Sequence, residues 1–545
     1  MTQPTMNRRT FVKGGLAASA MAALAACGKK GGDTSAASGS AAEGGTLNYY
    51  INNPSAIDPY NLEEDQGMMV GYQLFDALTT YDFTKNELVG LAAESWDVND
   101  AADEFTFHLV KGAKFHDGTT VTSKSFKQGW ERILNPNTSM EHVSAIGYHL
   151  AMVDGYSELS AGEADELKGV TCPDDDTLVV KLSQAYADFP YVCMHPALSP
   201  VPDCALEDFD TFFFAPVGNG PFKMDGKWED GQQINLVRFD DYSYGEKAKL
   251  DGIHFNIQKD VQTAYTEFQA GNLDVAQVPT TQLKDAISQY GESEDGYTAT
   301  PDHQFLGGAM LYTQFLAFNV NDPVMSDVRV RQALSLAINR QAICDAIYEG
   351  SAQPADDIPP SSMEGYREGA WAYAAYDPNK AAQLLDEAGY AADASGKRNL
   401  SFKFMTNAAN TQDEYQSMQA DWQKLGIDVE IDKVEYAAMY QSYLDGTYSV
   451  GARAWYADYP IADNYLYPLF HTGNGDNVSH FADDKFEQLI DAARATADHD
   501  ERVKAMQAAN DYVSELVPYA PLNYRALARC TDRRVSSLTV TPQIL

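Results

Sequence analysis

Six cysteines, ten histidines and 78 acidic residues are the side chains of this 545-residue sequence able to do covalent, metal or acid–base chemistry. Cys27 stands at a spacing that chemistry uses. It follows Leu24-Ala25-Ala26 at the end of a modestly apolar run, Gly14 to Ala26, which is preceded by Asn7-Arg8-Arg9-Thr10-Phe11-Val12-Lys13. Paired arginines, apolar run and cysteine in this order resemble a twin-arginine export signal ending in a lipobox, where the thiol is acylated and the preceding peptide bond is cut. Cys172, Cys193, Cys204, Cys344 and Cys530 form no Cys-x-x-Cys pair. Export to an oxidising compartment permits disulfides; Cys193 and Cys204 are the closest pair, and the odd count leaves at least one thiol free. His471 and His480 show no metal-ligand spacing. The chain has no Gly-x-Ser-x-Gly elbow, no His-Glu-x-x-His helix and no phosphate loop with a following lysine. Paired carboxylates carry no spacing signature, and an extracellular hydrolase is the disfavoured reading. One last cluster runs from Gly446 to Tyr459, where Arg453, Trp455, Tyr456, Asp458 and Tyr459 crowd together before Pro460. Taken alone, it is an acid in a tyrosine-rich turn.

The elements that must position these groups are mixed. Phe105, Phe107 and Leu109 alternate with Thr106 and His108, a half-buried strand, and Asp117-Gly118 predicts a hairpin turn before Val121. Thr177 to Leu182, Gln233 to Phe239 and Ile253 to Ile257 read as further strands. From Asp327 the apolar residues Val330, Ala333, Leu334, Ala337, Ile338 and Ile343 recur at helical steps until Gly350, which predicts one helix. Asp377-Pro378 to Gly389 is a shorter, well-capped helix. There is no fixed-period repeat.

Length alone implies two or three lobes with separate cores. Apolar residues at 44% and charged residues at 21% describe an ordinary folding chain. The charge, 39 Lys+Arg against 78 Asp+Glu, is −39, which repels phosphate backbones and anionic lipid and argues against a nucleic-acid partner. Beyond the first thirty residues no apolar stretch is long enough to span a membrane, so attachment falls to the N-terminus. Gly28 to Gly45 has a tether's composition.

In order along the chain, Ile57-Asp58-Pro59, Leu74-Phe75-Asp76-Ala77-Leu78, Ala92-Ala93-Glu94-Ser95-Trp96, Lys111-Gly112-Ala113-Lys114-Phe115, Asn219-Gly220-Pro221-Phe222, Asp327-Val328-Arg329-Val330-Arg331-Gln332-Ala333-Leu334 and Glu387-Ala388-Gly389-Tyr390 resemble strings favoured by the extracytoplasmic solute-binding proteins of oligopeptide ABC transporters. The resemblance covers nearly all of 46–545. It implies an α/β fold of two large lobes and a smaller third with a ligand cleft and hinge, like the type II periplasmic binding proteins. By that analogy lobe I is 46–65, 203–305 and 516–545, lobe II is 66–202 and lobe III is 306–515, after a signal peptide 1–27 and a tether 28–45. Physical reasoning gives Arg329 and Arg331 a structural role, pairing with nearby acids.

The resemblance also places a site. Asp458, three residues after Trp455, stands where the family pairs an acid with the free α-amino group of a peptide. Every unblocked peptide carries that ammonium, so a buried carboxylate reads the chain end without reading sequence. Ala454 and Tyr456 stand where the family offers backbone groups to the peptide, a strand-addition mode, and Tyr436 and Trp455 would form an aromatic wall. Tyr459 closes the segment. Two departures stand out: the family's cleft arginine falls on Ala452, with Arg453 one place along and turned toward the other strand face, and an aromatic of the second lobe falls on His142. Asp65 is the central residue of a ligand-lining loop, Glu63 to Gly67. The resemblance therefore implies a monomeric, lipid-anchored binding protein without cofactor or catalytic residues. It would lie on the outer face of the bacterial cytoplasmic membrane or in the periplasm, passing short peptides to an ABC permease and ATPase. Nickel chelates, haem, opines or oligosaccharides are the alternative ligands, and a ligand-sensing or adhesion lipoprotein the alternative role.

Overall fold

A computed structural model describes residues 44–137, 144, 146–408, 410, 412–543 of the chain. Cys27 and His142 lie outside them.

Three principal sheets carry the architecture. A seven-stranded sheet is assembled from distant segments in the order Phe305–Leu306, Arg529–Thr531, Val275–Gln277, Thr46–Ile51, Gly252–Ile257, Gln233–Arg238 and Phe222–Met224. A four-stranded antiparallel sheet orders Ala93–Val98, Glu104–Leu109, Thr177–Lys181 and Val170–Asp174. The six-stranded sheet orders Ala352–Pro354, Tyr519–Ala526, Ala309–Phe318, Val450–Tyr456, Ser401–Asn407 and Asp428–Val434. Tyr519–Ala526, assigned to lobe I from the sequence, is therefore a strand of this last sheet, pairing antiparallel with Ala309–Phe318. Its pattern could not reveal its neighbour, because it is buried along most of its length and shows no alternation.

The six-stranded sheet is covered on both faces, which is why Ala309–Phe318 reads as a continuous apolar run. Leu316 and Phe318 pack with the helices Val328–Leu336, Pro378–Glu387 and Asp413–Lys424, while Phe315 and Ala317 face Asp463–Phe470, Asp484–Arg494 and His499–Leu516. The seven- and four-stranded sheets share another core, rich in Phe105, Phe107, Trp130 and Phe189. Two short connectors, Gly307-Gly308 and Leu527-Ala528, run side by side from the seven- to the six-stranded sheet, and Leu527 N–H donates to Gly308 O at 2.8 Å.

Several family strings have structural explanations. Asp58 takes a bidentate ion pair from Arg132, 2.7 Å on each side, in a fully buried setting where Tyr60, Phe209 and Phe212 surround the guanidinium. Asn219 clasps the backbone of Asp76 at N–H (3.0 Å) and C=O (2.8 Å). A Cβ on Gly218 would stand 1.9 Å from the Leu74 carbonyl oxygen, so only glycine permits this crossing.

Three local expectations change. The helix from Asp327 breaks into Val328–Leu336 and Arg340–Ile343, the latter running on into a wider turn at Cys344–Tyr348, because Asn339 starts a new helix by accepting from Ala342 N–H. Arg329 does pair with Asp327, but Arg331 is buried and donates to the carbonyls of Met325, Leu516 and Val517 rather than to an acid. Asp117-Gly118 makes its turn, yet Glu104–Leu109 pairs with Ala93–Val98 and Thr177–Lys181 instead of with the segment at Val121. All five described cysteines are free thiols.

Candidate functional site

Strand Val450–Tyr456 is the spine of the site. On one side it pairs along its length with Ala309–Phe318; on the other its pairing with Ser401–Asn407 ends at Gly451. From Ala452 onward that second edge has no strand partner among the described residues. Ala457 N–H donates to Leu311 O, so alternation along the strand turns the backbone groups of Ala452, Ala454 and Tyr456 toward the open edge. Tyr443 already donates to Ala452 O at 2.8 Å.

The open edge borders two adjoining chambers. The first, about 480 Å³, is lined by Asp65, Met68 and Tyr72 from the N-terminal segment, by Tyr148 and His195, and by Tyr456, Asp458 and Gln543. The second, about 510 Å³, is lined by Tyr312, Gln314, Tyr436, Tyr440, Arg453 and Ala454. Glu63, Tyr440, Trp455 and Asp476 belong to both walls, making one continuous cleft.

Asp458 sits just past the end of the strand. Its backbone N–H donates to Asn464 Oδ1 (3.0 Å), and Asn464 Nδ2 reaches its Oδ2 at 3.4 Å. Gln543 Nε2 holds its carbonyl at 2.5 Å. No basic side chain pairs with it among the described residues, and burial, with the charges of Asp476 and Glu63 behind it, pushes its carboxyl up to about 6. Asp65 is likewise raised to about 6 by burial and by Glu64. The chamber wall thus presents Glu63, Asp65, Asp458 and Asp476, of which Asp476 is already paired with Arg453, and the carboxylates left without a cationic partner attract a cation.

The other expected residues fall unevenly. Trp455 lines both chambers, its indole N–H donating to Asn464 Oδ1 at 3.2 Å. Tyr436 is 62% exposed at the rim of the second, stacked on Tyr440. Arg453 was expected on the other strand face; it lines the second chamber and is held by Asp476 at 2.7 Å, its own neighbour in the wall. Tyr459 lines neither chamber. It is 8% exposed and packs in the core around Tyr186 and Ile461, which corrects its inclusion among the ligand contacts. Tyr72, Tyr148, His195, Asp476, Gln543 and Asn464 were missed, since they come from six separate segments with no shared spacing.

A cleft between sheets, walled by acids and edged by an open strand, defines a ligand-binding protein rather than a scaffold. Residues 87–477 match the family described as bacterial extracellular solute-binding proteins, family 5 Middle, and the chain belongs to that family. It is 27% identical over 497 residues to the periplasmic oligopeptide-binding protein OppA of Escherichia coli, covering 89% of this chain and 88% of the relative. It is 26% identical over 484 residues to haem-binding protein A of Haemophilus influenzae, covering 86% and 85%. The structure of the periplasmic binding protein DppA from Helicobacter pylori in complex with the peptide STSA superposes with a TM-score of 0.71 at 23% identity, over 92% of this chain and 99% of that one, a likeness of fold.

Proposed function

We propose that this protein is the substrate-binding lipoprotein of an ABC importer and captures short peptides in the cleft. The observation that carries this reading is Asp458, a shielded carboxylate with no cationic partner, standing at the end of an open strand edge. The α-ammonium of a peptide supplies the missing charge, and the peptide backbone adds to the edge at Ala454 and Tyr456. A blocked amine would leave Asp458 desolvated and unpaired, so the site discriminates by penalty as well as by attraction. Glu63 and Asp65 favour ligands with a basic residue near that end.

A relative's name records haem as its ligand. Glu63, Asp65 and Asp458, facing the first chamber, oppose the propionates of haem, so peptide capture is the better account. Closure would occur about the paired connectors Gly307-Gly308 and Leu527-Ala528. The lobe scheme, amended by moving 519–526 to lobe III, goes with this reading. So do the anchor at Cys27, the place outside the cytoplasmic membrane, the permease and ATPase partners and the monomeric state. No catalytic residue is assigned. Among the described residues no helix is long and apolar enough to cross a membrane. Thermal unfolding with free-amine and N-acetylated peptides tests the reading.

A further inference from the structure

Beside Asp458 stand two histidines with no part in peptide capture. His149, in the short helical turn Gly147–Leu150, and His195, which caps the turn Pro196–Leu198, are 3% and 2% exposed. Their rings lie with centroids 4.3 Å apart and planes tilted by 34°. One nitrogen from each ring and a carboxylate oxygen of Asp458 all lie within 4.8 Å of one another. Buried histidines usually have both ring nitrogens satisfied. His195 meets half of that rule, its Nδ1 accepting from Ala197 N–H at 3.2 Å, which leaves Nε2 to turn elsewhere. His149 Nε2 is buried with no hydrogen-bond partner among the described residues, a desolvated polar atom that none of them compensates.

We propose that His149, His195 and Asp458 form a binding site for a divalent transition-metal ion, with Zn²⁺ the best match to two imidazoles and a carboxylate. The donor set is that of open zinc sites, where three protein ligands leave one position for water or cargo. His195 and Asp458 line the first chamber, so that fourth position faces the cleft, where Glu63 and Asp65 further favour a cation. Ligand atoms on a four-coordinate zinc stand roughly 3.3 Å apart, a spacing compatible with three donor atoms that all lie within 4.8 Å of one another. A zinc bound here would tie the histidines, from the chain before Asn219, to the end of the Val450–Tyr456 strand. Ligation through His195 Nε2 places the ring proton on Nδ1 and gives up the contact with Ala197. Zinc and a peptide ammonium compete for the same carboxylate.

The test is calorimetric titration of the metal-stripped protein with Zn²⁺ in the absence of peptide, with Co²⁺ as an optical probe. One ion per chain at low-micromolar affinity or tighter is expected, with the intense visible bands of four-coordinate Co²⁺. His149→Gln, His195→Gln and Asp458→Asn should each weaken binding by about tenfold or more. Thermal unfolding checks that the variants fold, and the near-isosteric Asp458→Asn keeps the test available should a histidine variant not. Absence of stoichiometric binding, or binding untouched in the folded variants, overturns the site. The site is independent of the peptide reading: zinc binding by a protein that ignores peptides leaves it standing, and a peptide response without zinc binding removes the site alone.

Discussion

Asn464 holds Asp458 from two directions, accepting its backbone N–H at 3.0 Å and offering Nδ2 to its carboxylate at 3.4 Å. The first contact fixes where the acid stands. The second comes from a neutral amide and leaves the charge in place, so the carboxylate stays available at a known point of the chamber wall.

Away from the cleft, the buried pair Asp58–Arg132 ties the segment after the first strand to the helix Ser123–Leu134. Arg132→Met leaves Asp58 charged, buried and unpaired, and is expected to lower stability by about 3–5 kcal/mol in chemical denaturation. Adding Asp58→Asn to that variant should restore part of the loss. Equal losses in the single and double variants would contradict the pairing.

Stability should fall as pH rises from about 4 to about 7. Asp76, buried with Tyr242 donating to it at 2.7 Å, and Asp357 are both pushed by burial to about 7, whereas unfolded aspartates release their proton near 3.9. Between those values the folded chain binds more protons than the unfolded one, so this contribution is fully present at the acid end and lost above about 7. The range is at most about 4 kcal/mol per group. Asp76→Asn should flatten the curve, and an unchanged slope would contradict the assignment.

Backbone capture at the open edge is separable from ammonium capture. Ala454→Pro removes an N–H that faces the cleft and leaves the ladder to Ala309–Phe318 intact, as edge prolines do. Peptide affinity should fall by about tenfold while the melting temperature stays near that of the parent. Undiminished affinity would mean that the edge is not used.

Much of this architecture can be read from residues. Asp377, Pro378 and Gly389 mark a helix that the structure begins at Pro378 and ends at Glu387, two residues before that glycine, since caps act locally. The alternation of Phe105, Phe107 and Leu109 marks a strand with its inward residues buried. What escaped was whatever depended on distant partners. Phe105's strand was given the wrong neighbour and Tyr519–Ala526 the wrong lobe, because sheet order is set by tertiary packing. In the site, Trp455 and Asp458 were found through a family string, whereas Asn464, His195 and Asp476 meet them only in three dimensions. Tyr459 shows the converse error: adjacency in sequence put it in the cleft, but it packs into the core.

The most direct test of the central claim is thermal unfolding of the purified protein with a pool of short free-amine peptides and with the same pool N-acetylated. Ligand at a hundred times its dissociation constant adds about 2.7 kcal/mol of stability, a readily measured shift. Stabilisation by the free-amine pool alone, lost in Asp458→Ala, is the predicted result. Equal stabilisation by both pools, or none by either, would contradict ammonium capture by Asp458.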